Sequence, residues 1–300
     1  SRQEQTLEVF RTLWGEDFVY SFKENAINLQ RLDTFSDGKL NKWLFEIFSR
    51  KQITILDAGC GLGFGFVNVI DALLSQTDLK TDSIVYHGID LIPLDKTSKF
   101  LDEWKADFEK RSIASTPSID ITLTRVSMLT PPVQLVGHCD FVMAHGTLHH
   151  TPNIEQALEA TLTCLNSGGY YLGWIINEQK PLRKITDEFF RGFFSDFDNI
   201  SDCESELETL SDIFAAMGKS MGDSEIDIND DVAFLGLEKG KYRLQTLLYD
   251  HFFKCYAVEG ESRRQQIHQL FDWFNPHYYH QTSRVELESM LGRFQGVNVI

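Results

Sequence analysis

The sequence predicts an α/β fold, with a mostly parallel central sheet, helices on both faces and a helical cap or insertion. Apolar, β-branched runs of strand length recur at 53–58, 83–90, 119–126 and 139–144. Segments with apolar residues at helical spacing follow the first and the fourth of these runs. The first run ends in Asp57-Ala58-Gly59-Cys60-Gly61-Leu62-Gly63-Phe64-Gly65. Such a turn lets the backbone reverse sharply and lets a ligand approach without a Cβ in the way.

The flank before the first strand reads as helical over Thr6 to Leu13, and again over Leu29 to Phe48 with a break at Ser36-Asp37-Gly38. It forms an N-terminal cap, residues 1–50, carrying Trp14, Phe18, Tyr20, Phe22 and Trp43.

Strand, glycine turn and helix follow. A dinucleotide fold requires Gly-x-Gly-x-x-Gly. From Gly59 and Gly61 the third position is Phe64, from Gly61 and Gly63 it is Phe66, and from Gly63 and Gly65 it is Asn68. The pattern fails in every register. A phosphate-binding P-loop fails too, because no Gly-Lys-Ser/Thr follows. What remains is Asp-x-Gly-x-Gly-x-Gly, with an acid at the strand end facing a cationic or amine-bearing ligand.

This turn resembles motif I of the class I S-adenosylmethionine (SAM)-dependent methyltransferases, which have a Rossmann-like fold. The resemblance implies that Asp57, Gly59, Gly61 and Gly63 contact SAM. The second strand, Ser83 to Asp90, ends in an acid one helix after the turn, and Asp90 looks like the family's ribose-binding residue. A charged acceptor there is worth roughly 1.5–3 kcal/mol per hydrogen bond. The third strand spans Ile119 to Val126. Where the family often has an acid for the adenine amino group, this chain reads Ser127-Met128-Leu129. The Ser127 hydroxyl or backbone would then make that contact, and Met128 would cover the adenine face.

The fourth strand, Cys139 to Ala144, runs into His145-Gly146-Thr147-Leu148-His149-His150-Thr151-Pro152-Asn153. Ala144 would border the cofactor. Thr151 or Asn153 caps a helix over Ile154 to Leu165, with Pro152 near its first turn. That helix breaks at Asn166-Ser167-Gly168-Gly169, and a fifth strand covers Tyr170 to Ile176. The order resembles family motifs II and III, and the resemblance is tight from Ile53 to about Asn177, defining a SAM-binding core at 51–180.

Residues 181–281 read as a helical, aromatic- and acid-rich insertion forming a lid or substrate region. Phe189, Phe190, Phe193, Phe194 and Phe197 lead into helical spacing over Tyr242 to Tyr256 and Ile267 to Phe274. Aromatics at this density form a core or wall an apolar pocket. Between Asp196 and Asp231 there are twelve acids, and Lys219 is the sole base. That run reads as a solvated acidic face or a mobile linker. Thr282 to Leu291 resembles the family's last helix and Val297 to Ile300 the start of a sixth strand, so residues 282–300 close the core incompletely.

Composition sets further limits. A formal charge of −16 disfavours nucleic acid, whose binding rests on Lys and Arg neutralising phosphates. No run approaches the ~20 apolar residues of a membrane span. The five scattered cysteines, odd in number and without Cys-x-x-Cys, suit reduced thiols in the cytoplasm. The chain opens on Ser1 and reads as a piece of a longer one.

A sulfonium methyl is already activated, so alignment and exclusion of water suffice, contributing up to roughly 7–11 kcal/mol. A general base is needed only for a protonated acceptor, and histidine suits that task. His149 and His145 are the favoured candidates, since strand ends face the site in open α/β sheets. A second cluster, Asn275-Pro276-His277-Tyr278-Tyr279-His280, competes for the same role with His280 as its candidate catalytic residue, and the family resemblance implies acceptor contacts from Tyr278, Tyr279 and His280. Trp14, Tyr20 and His150 are further candidates for the acceptor. A metal is not expected; the alternative sets His145, His149, His277 and His280 around iron or zinc.

The absence of Asn/Asp-Pro-Pro-Tyr after the fourth strand excludes a common amine-methylating motif of DNA and some protein methyltransferases, and no basic stripe suggests RNA. A small organic acceptor remains, with S-adenosylhomocysteine as the second product. Two other readings stay open: a non-catalytic SAM-binding module, and the methyltransferase domain of a biosynthetic synthase acting on a carrier-tethered substrate.

Overall fold

The computed structural model describes residues 2–13, 38–76, 80–110, 117–194, 196–197, 200–254 and 263–298. Trp14, Phe18, Tyr20 and Phe22 lie outside them. In chain order the elements are α1 (Arg2–Leu13), α2 (Lys39–Ile47), β1 (Gln52–Ala58), α3 (Phe64–Gln76), β2 (Ser83–Asp90), α4 (Asp95–Lys110), β3 (Ser118–Arg125), β4 (Cys139–His145), α5 (Ile154–Leu162) and β5 (Leu165–Trp174). They continue as α6 (Pro181–Phe194), α7 (Ile200–Met221), β6 (Glu225–Ile228), β7 (Gly240–Arg243), α8 (Leu244–His251), α9 (Arg263–Phe274) and α10 (Arg284–Leu291). They divide into two compact units, one of residues 1–15 with 177–283, the other of 16–176 with 284–300.

The second unit is a parallel five-stranded sheet in the order β3-β2-β1-β4-β5, the α/β arrangement expected of a Rossmann-like class I methyltransferase. Strand alternation sends Ile53, Ile55, Ile84, Tyr86, Phe141 and Met143 to one core, covered by α2, α3 and α4. Leu56, Ala58, Val142 and Ala144 feed the opposite core, under α5 and α10. Strands buried on both faces read as near-continuous apolar runs, which is why β1 and β4 were so clear in the sequence.

Asp140 knots β1, β4 and β5 together, away from the glycine turn. It accepts from Arg50 Nη1 at 2.5 Å, from the Thr54 amide at 2.8 Å and from Asn166 Nδ2 at 2.7 Å. Arg50 Nη2 also donates to the Gly168 carbonyl at 2.8 Å.

Three element boundaries differ from expectation here. Helix α5 ends at Leu162, and β5 begins at Leu165, so Asn166 to Gly169 belong to the strand. The reason is that the Cys164 carbonyl already accepts from the amides of His138 and Cys139, engaging β4 before the glycines; the pairing shifts register between Cys139 and Phe141. Asn153 caps α5, its side chain accepting from the Gln156 amide at 2.9 Å, which leaves Pro152 ahead of the cap rather than in the first turn. Val297 and Asn298 take no strand, and 299–300 lie outside the described residues.

The first unit is helical, with a β6–β7 antiparallel hairpin. Its core draws Val9 and Leu13 from α1, Phe194 from α6, Cys203, Leu207 and Phe214 from α7, and Ile267, Leu270, Phe271 and Phe274 from α9. Of the phenylalanine run, Phe194 is in the core and Phe190 and Phe197 pack against it, whereas Phe189 and Phe193 are 71% and 48% exposed. Most of the acid-rich stretch is ordered structure. Cys203, Leu207, Ser211 and Phe214 repeat at helical spacing and bury one face of α7, leaving Asp202, Glu204 and Asp212 in solvent. Tyr242 lies in β7 opposite Ile226, so the helix expected over Tyr242 to Tyr256 is α8 and starts only at Leu244; Cys255 and Tyr256 lie outside the described residues.

Candidate active site

In an open α/β sheet the ligand crevice lies outside the carboxyl ends of the strands where the strand order reverses. Here that point is between β1 and β4, and the glycine turn emerges there. Gly59, Gly61 and Gly63 take φ of 78°, 51° and 85°, a region that disfavours any Cβ. Gly65 does not share this conformation; it is already in α3. A Cβ at Gly59 would lie 2.5 Å from Thr147 Cγ2, and one at Gly63 would lie 2.9 Å from Leu101 Cδ2.

Two carboxyls flank the turn. Asp90 Oδ2 accepts from the Gly61 amide at 2.9 Å, and Oδ1 accepts from the Leu91 and Ile92 amides at 2.7 and 3.2 Å. Burial raises the Asp90 pKa, and these amides pull it back. An ionised carboxylate offers roughly four acceptor positions. Three are used by these amides, leaving about one for a ribose hydroxyl, so the residue fits the role with one further bond rather than the two a diol could donate.

Asp57 is buried behind the turn and accepts from the Tyr86 hydroxyl at 3.0 Å. Its pKa is pushed from 3.8 to about 7, chiefly by burial, with the Tyr86 bond opposing and the Asp90 charge adding to the rise. Burial also holds the Cys60 thiol well above its usual pKa, so this cysteine is a filler in the turn and not a reactive thiolate.

The segment after β4 is stitched to the turn. Thr147 Oγ1 donates to the Ala58 carbonyl at 2.9 Å, and Thr97 Oγ1 donates to the Gly61 carbonyl at 2.7 Å. Trp174, at the end of β5, stacks on His145 with centroids 5.7 Å apart, while His149 meets it edge-on at 5.4 Å. His150 lies 4.1 Å from His149, centroid to centroid. His149 is only 2% exposed. His145 keeps a solvent-facing edge, yet the surrounding protein disfavours its imidazolium and lowers its pKa.

Of the remaining candidates in this unit, Ser127 Oγ accepts from the Leu129 amide at 3.2 Å, Met128 packs on the core beneath α5, and the Ala144 side chain is fully buried. Ala144 can therefore offer a ligand its backbone only.

The other histidine–tyrosine cluster belongs to the helical unit. Tyr278 stacks with His280 at 6.4 Å and meets His277 edge-on at 5.5 Å. Tyr279 lies under the Arg191 guanidinium at 4.1 Å and against Trp273 at 5.2 Å. Nearby, Arg183 and Asp187 form a fully buried pair at 2.8 Å, with Trp273 Nε1 donating to the second Asp187 oxygen at 2.9 Å. Among the described residues no three His, Cys, Asp or Glu side chains gather to hold a metal ion, and no helix is long and apolar enough to cross a membrane.

Sequence reasoning missed Tyr86, Thr97, Thr147 and Trp174. Tyr86 left a signal: a hydroxyl in the middle of a buried apolar strand must find a partner. The threonines left none, because their partners are backbone carbonyls distant in sequence.

Residues 56–173 match the sequence model of a family described as "Methyltransferase domain". No curated protein matches the chain. Among solved structures, the trans-methyltransferase CalH in complex with SAH is 18% identical, covering 54% of this chain and 44% of its own, at a TM-score of 0.35. The citrinin polyketide synthase CMeT domain is 24% identical over 52% of this chain and 36% of its own, also at 0.35. A Galdieria sulphuraria protein provisionally assigned as a sarcosine dimethylglycine methyltransferase is 14% identical, covering 90% of this chain and 92% of its own, at 0.41. The matched region thus spans less than half the length of the first two. All three scores lie below 0.5, and it is the family match over 56–173 that identifies the domain.

Proposed function

The chain carries a class I SAM-dependent methyltransferase domain, and on that premise we propose that it transfers a methyl group to a small organic acceptor, releasing S-adenosylhomocysteine. The observation that supports this best is the junction of β1, β2 and β4. Three left-handed glycines open the turn, and Asp90 sits against it with acceptor capacity to spare. Bound SAM would supply an electrophilic methyl on a sulfonium.

The chain's own residues would do the rest. Asp90 would accept a ribose hydroxyl. Gly59, Gly61 and Gly63 would let the ligand approach the backbone, with Ser127, Met128 and the Ala144 backbone on the adenine side. Asp57 would hold the turn through Tyr86 and answer a nearby positive charge by releasing its proton. His145 is the base we favour. Its lowered pKa keeps it neutral near pH 7, and it retains an open edge, whereas His149 is enclosed. Tyr278, Tyr279 and His280 are kept as candidate acceptor contacts, and the chain is divided into a cap at 1–50, a core at 51–180, a substrate region at 181–281 and a closing segment at 282–300. Cys60, Cys139, Cys164 and Cys203 are buried thiols, which suits a cytoplasmic location.

The test is calorimetric and thermal. S-adenosylhomocysteine is expected to bind and to raise the melting temperature, and NAD to do neither. The reverse pattern overturns the cofactor. SAM consumption across a panel of small acceptors then separates an enzyme from a binding module.

A further inference from the structure

Trp174 is the last residue of β5 and pairs in register with His145, the last residue of β4. It therefore stands at the same end of the sheet as the glycine turn. It is two strands from β1, or about 10 Å at the usual strand spacing. It is also 44% exposed. Of the exposed large apolar side chains described in this unit, namely Val133, Val136, Trp174 and Val285, it is the aromatic one. A singly exposed apolar residue needs no partner. This one is distinguished by how firmly it is held at the site's edge.

The Gly146 amide donates to the Trp174 carbonyl at 3.2 Å. His145 stacks against the ring and His149 braces its edge. Gly146 takes φ of 71°, a backbone conformation that glycine favours, and passes beside the ring at ordinary contact distance. An aromatic surface fixed before binding loses little conformational entropy when a ligand arrives.

Charge selects the ligand. The unit that carries Trp174, residues 16–176 with 284–300, holds 22 Asp and Glu against 15 Lys and Arg, a net −7 that favours the arrival of cations over anions. The imidazole stacked on the indole is held neutral, so it does not repel a cation there. An indole face is the strongest side-chain partner for an ammonium group.

We propose that Trp174 is the docking platform for the methyl acceptor, and that the acceptor bears an ammonium group seated on the indole face. The group recognised and the atom methylated can be different parts of the same molecule. This rests on the methyltransferase reading above.

The test uses choline as a cationic probe and 3,3-dimethylbutan-1-ol as its neutral isostere, each titrated into protein saturated with S-adenosylhomocysteine. Choline is expected to bind roughly fivefold or more tightly than the isostere. Trp174→Leu is expected to remove that preference, Trp174→Phe to keep part of it, and both to bind S-adenosylhomocysteine within about twofold of the parent, which also reports correct folding. Absence of choline binding, equal binding of the isostere, or an unchanged preference in Trp174→Leu overturns the platform. Failure of the parent protein to bind S-adenosylhomocysteine overturns the methyltransferase reading, and the platform with it.

Discussion

The Tyr86 hydroxyl donates to the Asp57 carboxylate at 3.0 Å, joining β2 to the end of β1 directly behind the glycine turn. Both side chains are buried, so neither can exchange its partner for water. Removing the donor in Tyr86→Phe is expected to cost about 1–3 kcal/mol, measured by chemical denaturation. It also removes the influence that lowers the Asp57 pKa, which should then rise further above its present value of about 7.

Stability should depend on pH through the same carboxyl. The folded protein holds the Asp57 proton more tightly than the unfolded chain, with a pKa of about 7 against 3.8. Its favourable contribution is therefore complete below about pH 4 and is lost as pH rises to about 7, by at most about 4 kcal/mol. Asp57→Asn should flatten the stability profile across that window. An unchanged slope would refute the assignment.

Asp90 supports both the turn and the proposed ribose contact. Asp90→Ala should weaken S-adenosylhomocysteine binding at least roughly tenfold, about 1.4 kcal/mol, by calorimetry. Because the Gly61 amide loses its acceptor too, a lower melting temperature should accompany the loss. Unaltered affinity would remove Asp90 from the site.

Gly59→Ala should be severely destabilising. The new methyl would meet Thr147 Cγ2 at 2.5 Å on a backbone with φ of 78°. Pairing it with Thr147→Ala should not restore stability, because Thr147 Cβ itself lies 2.6 Å away. Recovery of the parental melting temperature in the double variant would contradict this geometry.

In the helical unit, breaking the buried Arg183–Asp187 pair from one side should be costly. Asp187→Ala leaves Arg183, only 1% exposed, without its carboxylate, and is expected to lose about 3–5 kcal/mol by denaturation. Replacing both residues with apolar ones of similar volume should cost markedly less.

Strands β1 and β4 of the core were legible because burial on both faces makes their composition nearly uniform, as in Ile53-Thr54-Ile55-Leu56, whereas edge strand β3 alternates Ile119, Ile121 and Leu123 with polar residues. The insertion was less legible. Its short β6–β7 hairpin is stabilised by pairs such as Tyr242 with Ile226, which local helical spacing conceals. The start of β5 was missed for a similar reason. Its glycines signal a break locally, but the Cys164 carbonyl engages the amides of His138 and Cys139, a contact that the local sequence of β5 does not announce.

By itself the sequence determined the chain order of the five core strands, the glycine turn and the acid at the end of the second strand, because each follows from steric and hydrophobic preferences within a few residues. Only the tertiary structure decided that Asp57 is sealed behind the turn by Tyr86, that Asp90 already spends most of its acceptors on the backbone, and that Trp174 stands open beside His145. Those facts depend on which distant groups meet, and burial and hydrogen-bond satisfaction are properties of the packed chain rather than of any segment of it.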